Sequence, residues 1–223
     1  VKSSKSLILA SASLRRLDLL AQVGVVPNQV IPADIDETPG KGELPRALVE
    51  RLSRGKAGAV LNSLSPRGEG RGEGDKNAHT DVISPSPKPS PRGERAFILA
   101  ADTVVACGRR ILGKPENEAE ERKFLELLSG RRHRVIGGIA LACPDGRMLC
   151  RTVETTVQFK KLTDAEIDAY IASGEWRGKA GGYAIQGRAE GFVKFIRGAY
   201  SNVVGLSLYD TIQMLKGSGY ITG

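Results

Sequence analysis

Leu7-Ile8-Leu9-Ala10-Ser11-Ala12-Ser13-Leu14-Arg15-Arg16-Leu17-Asp18-Leu19-Leu20 is the stretch on which the reading of this chain turns. Its first four residues form an apolar run that reads as a buried strand. The strand gives way to serines, and Ser13 is predicted to cap a helix by accepting from the orphan amides of its first turn. Leu14, Leu17 and Ala21 recur at helical spacing and are expected to make the buried face. A strand feeding a helix whose start carries hydroxyls, free amides and guanidiniums is suited to bind phosphate. An ordinary capped helix with solvated arginines would carry the same letters, so the rest of the chain has to decide.

Composition narrows the choice. The chain has 223 residues, 40% hydrophobic and 26% charged, which fits a globular fold of one large domain or two small lobes. No apolar run has the length of a membrane span, and Leu7–Ala10 is too short for the core of a signal peptide, so no membrane and a cytoplasmic location are expected. Cys107, Cys143 and Cys150 fall in no metal or redox spacing and read as free thiols. The formal charge is +8, yet aromatics make up only 5% and no aromatic-plus-basic motif occurs. Nucleic acid is therefore not expected as a partner, and the cations suit a polyanionic small molecule. Neither GxxxxGK[ST] nor GxGxxG occurs, and His79 and His133 give no Ser-His-Asp arrangement.

Along the chain, Gly24 reads as a helix stop, Gln29–Ala33 as a short strand and Asp34-Ile35-Asp36-Glu37-Thr38-Pro39 as an acidic loop. Glu43–Leu61 is predicted helical, with Leu44, Ala47, Leu48, Leu52, Ala59 and Val60 on its apolar side and Lys56 in its second half. Asn62–Arg95 is rich in Pro, Gly and Ser, and Ser65-Pro66-Arg67-Gly68-Glu69 recurs as Ser90-Pro91-Arg92-Gly93-Glu94. Such a segment buries too little apolar area to offset its ordering entropy and reads as a low-complexity, disordered insertion. Phe97–Val105 is a buried strand that delivers Asp102 and Thr103, and Ile111-Leu112 is a returning strand. Gly113-Lys114-Pro115 leads into a helix over Glu116–Leu128. Val135–Cys143 and Leu149–Phe159 form a hairpin, Thr163 caps a helix ended by Gly174, and Gly178–Gly191 is glycine-rich. Gly191–Ile196 is a strand, and one last helix ends near Lys216. Alternating strands and helices with a hairpin in the middle predict an α/β fold with a mixed, twisted sheet and flanking helices.

The polar residues at element ends are Arg15, Arg16, Lys56 and Lys114 on one side of the charge ledger and Glu37 and Asp102 on the other. The carboxylates could hold a divalent metal or activate water, and the cations could neutralise phosphates. Asp102, with a buried strand behind it, is the best general-base candidate. A strand-end capping acid and a solvated turn lysine are the plainer accounts of Asp102 and Lys114.

Ser11-Ala12-Ser13-Leu14-Arg15-Arg16, Asp36-Glu37-Thr38-Pro39, Ala101-Asp102-Thr103-Val104-Val105, Gly113-Lys114-Pro115, Leu128-Ser129-Gly130 with His133, Lys179-Ala180-Gly181-Gly182-Tyr183-Ala184-Ile185-Gln186-Gly187 and Asn202-Val203-Val204-Gly205-Leu206 occur in that order. Each is weak alone, but together they are specific, and the chain resembles the Maf family of nucleoside triphosphate pyrophosphatases over all but Asn62–Arg95. The resemblance implies an elongated, two-lobed fold like that of inosine triphosphatases, with a central cleft, in a family where homodimers are common. It implies hydrolysis of a nucleoside triphosphate to the monophosphate and pyrophosphate with Mg2+ or Mn2+. Asp102 would accept the proton of water, with Lys114 and Glu37 as further catalytic residues and Glu37 and Asp102 at the metal. Ser11, Ser13, Arg15 and Lys56 would hold the phosphates. Arg16, Thr103 and Gln186 match positions that separate subgroups by base. The Gln186 carboxamide, one donor and one acceptor, suits the N3–H and carbonyl edge of uracil and thymine. The implied subgroup therefore acts on dTTP, UTP and modified pyrimidine nucleotides, cleaning the nucleotide pool. The family's association with septum formation leaves a rival: a nucleotide-binding cell-division regulator with little catalysis. Leu14 and Ser207 stand where the family often has Pro, and Gly137 where Thr is common. These departures, and an insertion between Lys56's helix and Asp102's strand, are expected to touch stability more than chemistry.

Overall fold

The computed structural model describes residues 5–64 and 96–221. Strands β1 (Leu7–Ala10), β2 (Gln29–Val30), β3 (Phe97–Cys107), β4 (Arg110–Leu112), β5 (Arg132–Ala142), β6 (Met148–Phe159) and β7 (Val193–Arg197) form one seven-stranded sheet. Its order is β2-β1-β3-β5-β6-β7, with β4 paired to β3. β1 runs parallel to β2 and β3, and every other pair is antiparallel. Helices α1 (Leu14–Gln22), α2 (Pro45–Leu64), α3 (Glu118–Leu128), α4 (Asp164–Ser173), α5 (Tyr200–Val204) and α6 (Leu208–Gly217) flank it. This is the mixed α/β architecture expected. Among the described residues no helix is long and apolar enough to cross a membrane.

β3 is buried along almost its whole length because both sheet faces are covered, and its alternation assigns each residue to a face. Ile98, Ala100, Val104 and Ala106 pack with residues of α2. Phe97, Leu99 and Ala101 pack on the opposite face with Leu19, Leu20, Met214 and Leu215 of α1 and α6. The same opposite face carries a second apolar cluster, built on Phe124, Tyr170, Phe159 and Trp176 of α3, α4, β6 and the segment beyond α4.

α2 covers the other face, with Ile31, Ala33 and Ile35 packed beside it. Leu48, Val49, Leu52, Ser53, Lys56, Ala57 and Val60 are buried, an i, i+3, i+4, i+7 stripe. The expected members Leu44 and Ala47 are exposed instead, since the buried stripe is set by close approach to the sheet rather than by apolarity alone. That approach depends on Gly138 of β5, where a Cβ would stand 2.3 Å from the Val49 carbonyl oxygen. On the other face Gly137 makes room for Asn202: a Cβ there would lie 2.1 Å from Oδ1, while Asn202 Nδ2 donates to the Val135 carbonyl and Thr155 Oγ1. Gly137 thus seats the asparagine that bolts α5 onto β5 and β6.

Several local expectations change. In α1 the buried residues are Arg16, Leu19 and Leu20, whereas Leu14 is 74% exposed and Ala21 is exposed. A guanidinium supplied with acceptors can fill a buried position that periodicity would give to leucine. The Ser13 hydroxyl makes no cap hydrogen bond, although Ser13 holds the extended cap conformation. β2 has two residues, not five, because its pairing with β1 ends at Val30. α2 runs to Leu64, three residues into the segment read as an insertion, and the rest of that segment lies outside the described residues. α3 starts at Glu118, capped by the Asn117 side chain. The strand expected from Gly191 begins at Val193 after a short 3-10 turn, and the residues leading into the last helix form a short helix of their own, α5, which stops at Gly205. α4 is as read, with Thr163 and Glu166 forming a reciprocal cap that the sequence reading did not single out.

Gly138→Ala should push α2 off the sheet and cost about 1–3 kcal/mol of stability, the usual range for overpacking. Urea unfolding of the variant against the parent protein checks it.

Candidate active site

β3 pairs with β1 through residues 97–100 and with β4 through residues 105–107. Between them, Ala101, Asp102, Thr103 and Val104 have no strand partner on that edge. The gap lies just past the carboxyl end of β1, where β1 gives way to α1. Crevices at the carboxyl ends of parallel strands are where open α/β sheets take ligands. Because neighbouring residues point to opposite faces, Asp102 faces α2 and Thr103 faces α1, so one opening serves two groups of side chains.

On the α2 face, Lys56 Nζ donates to Asp102 Oδ1 at 2.5 Å and contacts Glu37 Oε1 at 2.6 Å. Lys114 Nζ donates to the other Glu37 oxygen at 2.9 Å. Lys56 and Asp102 are 7% and 8% exposed, so their pair is nearly closed to water, while Glu37 and Lys114 reach solvent. Partial burial would raise the Glu37 pKa, but hydrogen bonds from Lys56 and Lys114 outweigh it and hold the carboxyl at about 2. Glu37 thus ties the acidic loop to α2 and to the Gly113-Lys114-Pro115 turn. Asp102 Oδ2 has no hydrogen bond among the described residues, which leaves it open to the gap. The donor set fits a divalent ion of the Mg2+ type, which takes one or two carboxylates and completes its shell with water and substrate phosphates. No cluster of three or more His, Cys, Asp or Glu suited to an all-protein site occurs among the described residues.

On the α1 face, Arg16 is buried, and that burial lowers the pKa of its guanidinium despite the nearby Asp102 charge. Nε donates to the Gly205 carbonyl at 3.0 Å, Nη1 to Ser11 Oγ at 2.9 Å and Nη2 to Thr103 Oγ1 at 3.5 Å. The Thr103 hydroxyl in turn donates to the Gly205 carbonyl at 3.3 Å, and Ser11 Oγ accepts from the Ser13 amide at 3.2 Å. Arg16, Thr103 and Ser11 are therefore brought together as one bonded wall. Arg15, by contrast, is half-buried and makes no hydrogen bond among the described residues. Among the described residues the Ser13 hydroxyl is likewise unengaged, and the exposed Gln186 makes no side-chain hydrogen bond.

One cation escaped the sequence reading as a site residue. Lys179 opens the glycine-rich loop, and burial, reinforced by the Arg15 charge, lowers its pKa. Two cations that disfavour each other at the mouth of the gap form a place for a polyanion. The signal was present in the letters, since Lys179 precedes a glycine turn much as Lys114 follows a glycine.

Residues 6–218 match the family described as Maf-like protein. The chain is 56% identical to a dTTP/UTP pyrophosphatase of Paramagnetospirillum magneticum, over 96% of this chain and 97% of that one. It is 53% identical to a dTTP/UTP pyrophosphatase of Caulobacter vibrioides, over 96% of each. It is 50% identical to one of Rhodospirillum rubrum, over 100% of this chain and 92% of the other.

With its pKa held at about 2 against an ordinary 4.5, Glu37 contributes stability that is complete above pH 4.5 and lost as pH falls toward 2. The stability difference between the parent protein and Glu37→Gln should be largest near neutrality and shrink across that interval. Urea denaturation over a pH series measures it.

Proposed function

The chain belongs to the Maf family, and from that membership and the geometry of its site we propose that it hydrolyses the α–β phosphoanhydride of dTTP, UTP and related modified pyrimidine nucleotides. The products are the nucleoside monophosphate and pyrophosphate. The observation that carries this reading is Asp102: a carboxylate fixed through Oδ1 by a buried lysine, its Oδ2 unengaged at an open strand edge.

In this reading Asp102 Oδ2 accepts a proton from the attacking water, the anhydride oxygen leaves with the pyrophosphate, and Lys56 keeps the base in place through Oδ1. Arg15, Lys179 and the Ser13 hydroxyl meet the phosphates at the mouth of the gap, and Lys114 and Lys56 offset charge on the α2 face. A divalent cation, Mg2+ or Mn2+, would be held by Asp102 and Glu37 and would draw off charge from the triphosphate. Ser11 and Arg16 act from within the wall: they fix Thr103 at the base-reading side and hold the start of α1. Gln186, free to turn its carboxamide, pairs with the N3–H and a carbonyl of the pyrimidine. The names of the relatives support this choice of base. No observation favours the rival of a cell-division regulator without catalysis.

A panel of triphosphates assayed for pyrophosphate with Mg2+ or Mn2+ should show turnover of dTTP and UTP above purine nucleotides; no release from either rejects the reading. Asp102→Asn should lower kcat by about 10²–10⁴-fold, the range for loss of a general base, with nucleotide still bound. Gln186→Glu replaces the donor with an acceptor and should lower kcat/KM for dTTP relative to dGTP. An unchanged ratio removes Gln186 from base selection.

A further inference from the structure

Glu121 of α3 is 0% exposed, and neither of its carboxyl oxygens has a hydrogen-bond partner among the described residues. It takes no part in the site above. A Cβ built on Gly182 would stand 1.7 Å from Glu121 Oε2, so the carboxyl fills the volume that any side chain at position 182 would need. Gly182 belongs to a short turn, Ala180–Gly182, with Lys179 at its start and Gln186 four residues after it. The Gly181 amide donates to the Gly113 carbonyl at 2.8 Å, which binds the turn to the residue before Lys114.

From these contacts we propose that Glu121 is a positioning residue: its carboxyl fills the hollow over Gly182 and fixes the turn that sets Lys179 and Gln186 against the Lys114 segment. Around it, Glu120 on the same helix adds a like charge, and burial with that charge lifts the Glu121 pKa to about 9. From α4, Tyr170 faces it, with a hydroxyl that accepts from the Ala184 amide at 3.0 Å. From β5, His133 reaches the same loop through the Tyr183 hydroxyl at 2.8 Å and is kept neutral by burial. Ala180, Gly181 and Gly182 bring no charge. Ionised Glu121 would be a carboxylate without solvent or donor, which must leave its hollow and free the turn. Since the folded pKa lies above the ordinary one, stability from this group falls as pH rises from 4.5 to about 9.

Two measurements test it. The first is a double-mutant cycle in urea with Gly182→Ala, Glu121→Ala and the pair. Backbone strain at the Gly182 φ of +75° is common to both backgrounds and cancels. Gly182→Ala should cost about tenfold more in the folding equilibrium constant with Glu121 present than with it removed; equal costs overturn the proposal. The second compares KM for dTTP in the parent protein and Glu121→Gln, and only this arm rests on the pyrophosphatase reading. The two should agree at pH 7. By pH 9.5 the parent KM should rise about fourfold relative to the variant, the cost of protonating a group half a unit above its pKa, while kcat changes alike in both. Parallel KM profiles overturn the positioning role. If the parent protein turns over no nucleotide, the pyrophosphatase reading fails and the cycle decides on Glu121.

Discussion

Lys56 puts an ammonium group between two carboxylates at a place almost closed to water, and much of the molecule is arranged around that contact. A buried charge without its partner is costly, on the order of 3–5 kcal/mol when one side of such a pair is removed. The Lys56–Asp102 contact therefore demands that α2 sit at one height on the sheet. Gly138 provides that height by letting the Val49 carbonyl come close. Glu37 uses the same ammonium to anchor a loop with no regular structure of its own, and Lys114 extends the anchor to the turn before α3. One cation thus fixes an element from each of three parts of the chain.

The second organising fact is parity along β3. Asp102 and Thr103 are adjacent in sequence and opposed in direction, so the acid chemistry and the Arg16 wall occupy different faces of one sheet. They meet only because β1 stops at Ala10 and β4 ends at Leu112, opposite Val105, which opens the strand edge between them. Short strands along that edge are what make the long buried one usable.

The parts of this arrangement visible in the letters were those where one physical force acts alone. The apolar runs at Leu7 and Phe97 could only be buried, so β1, β3 and the burial of Asp102 followed. The Thr163 cap and the Gly174 stop of α4 depend on neighbours within a few residues. Arg16 and Leu14 exchanged roles because the carbonyl of Gly205, 189 residues away, supplies an acceptor that no local pattern reveals. Ser13 lost its cap bond while Ser11, two residues earlier, took the Ser13 amide and Arg16 together. Glu121 carried no signal at all: a glutamate on a charged helix looks solvated until its neighbour across space is known to be Gly182. Most of the side chains gathered at the open edge of β3 were candidates in the letters, but that Arg16 is bonded into the wall while Arg15 is left half-exposed is a tertiary fact.

Parity also says where this chain has room to vary. An extra residue within β3 ahead of Asp102 would turn every later side chain to the opposite face, setting Ala101 against Lys56 and Asp102 against the Arg16 wall. An extra residue between Leu64 and Ala96 changes no such assignment, because the strand starts counting only when it meets β1 at Phe97. The long, repetitive stretch in the sequence falls in this parity-free interval. The protein can therefore be read as two kinds of length: one in which number is meaning, and one in which it is only distance.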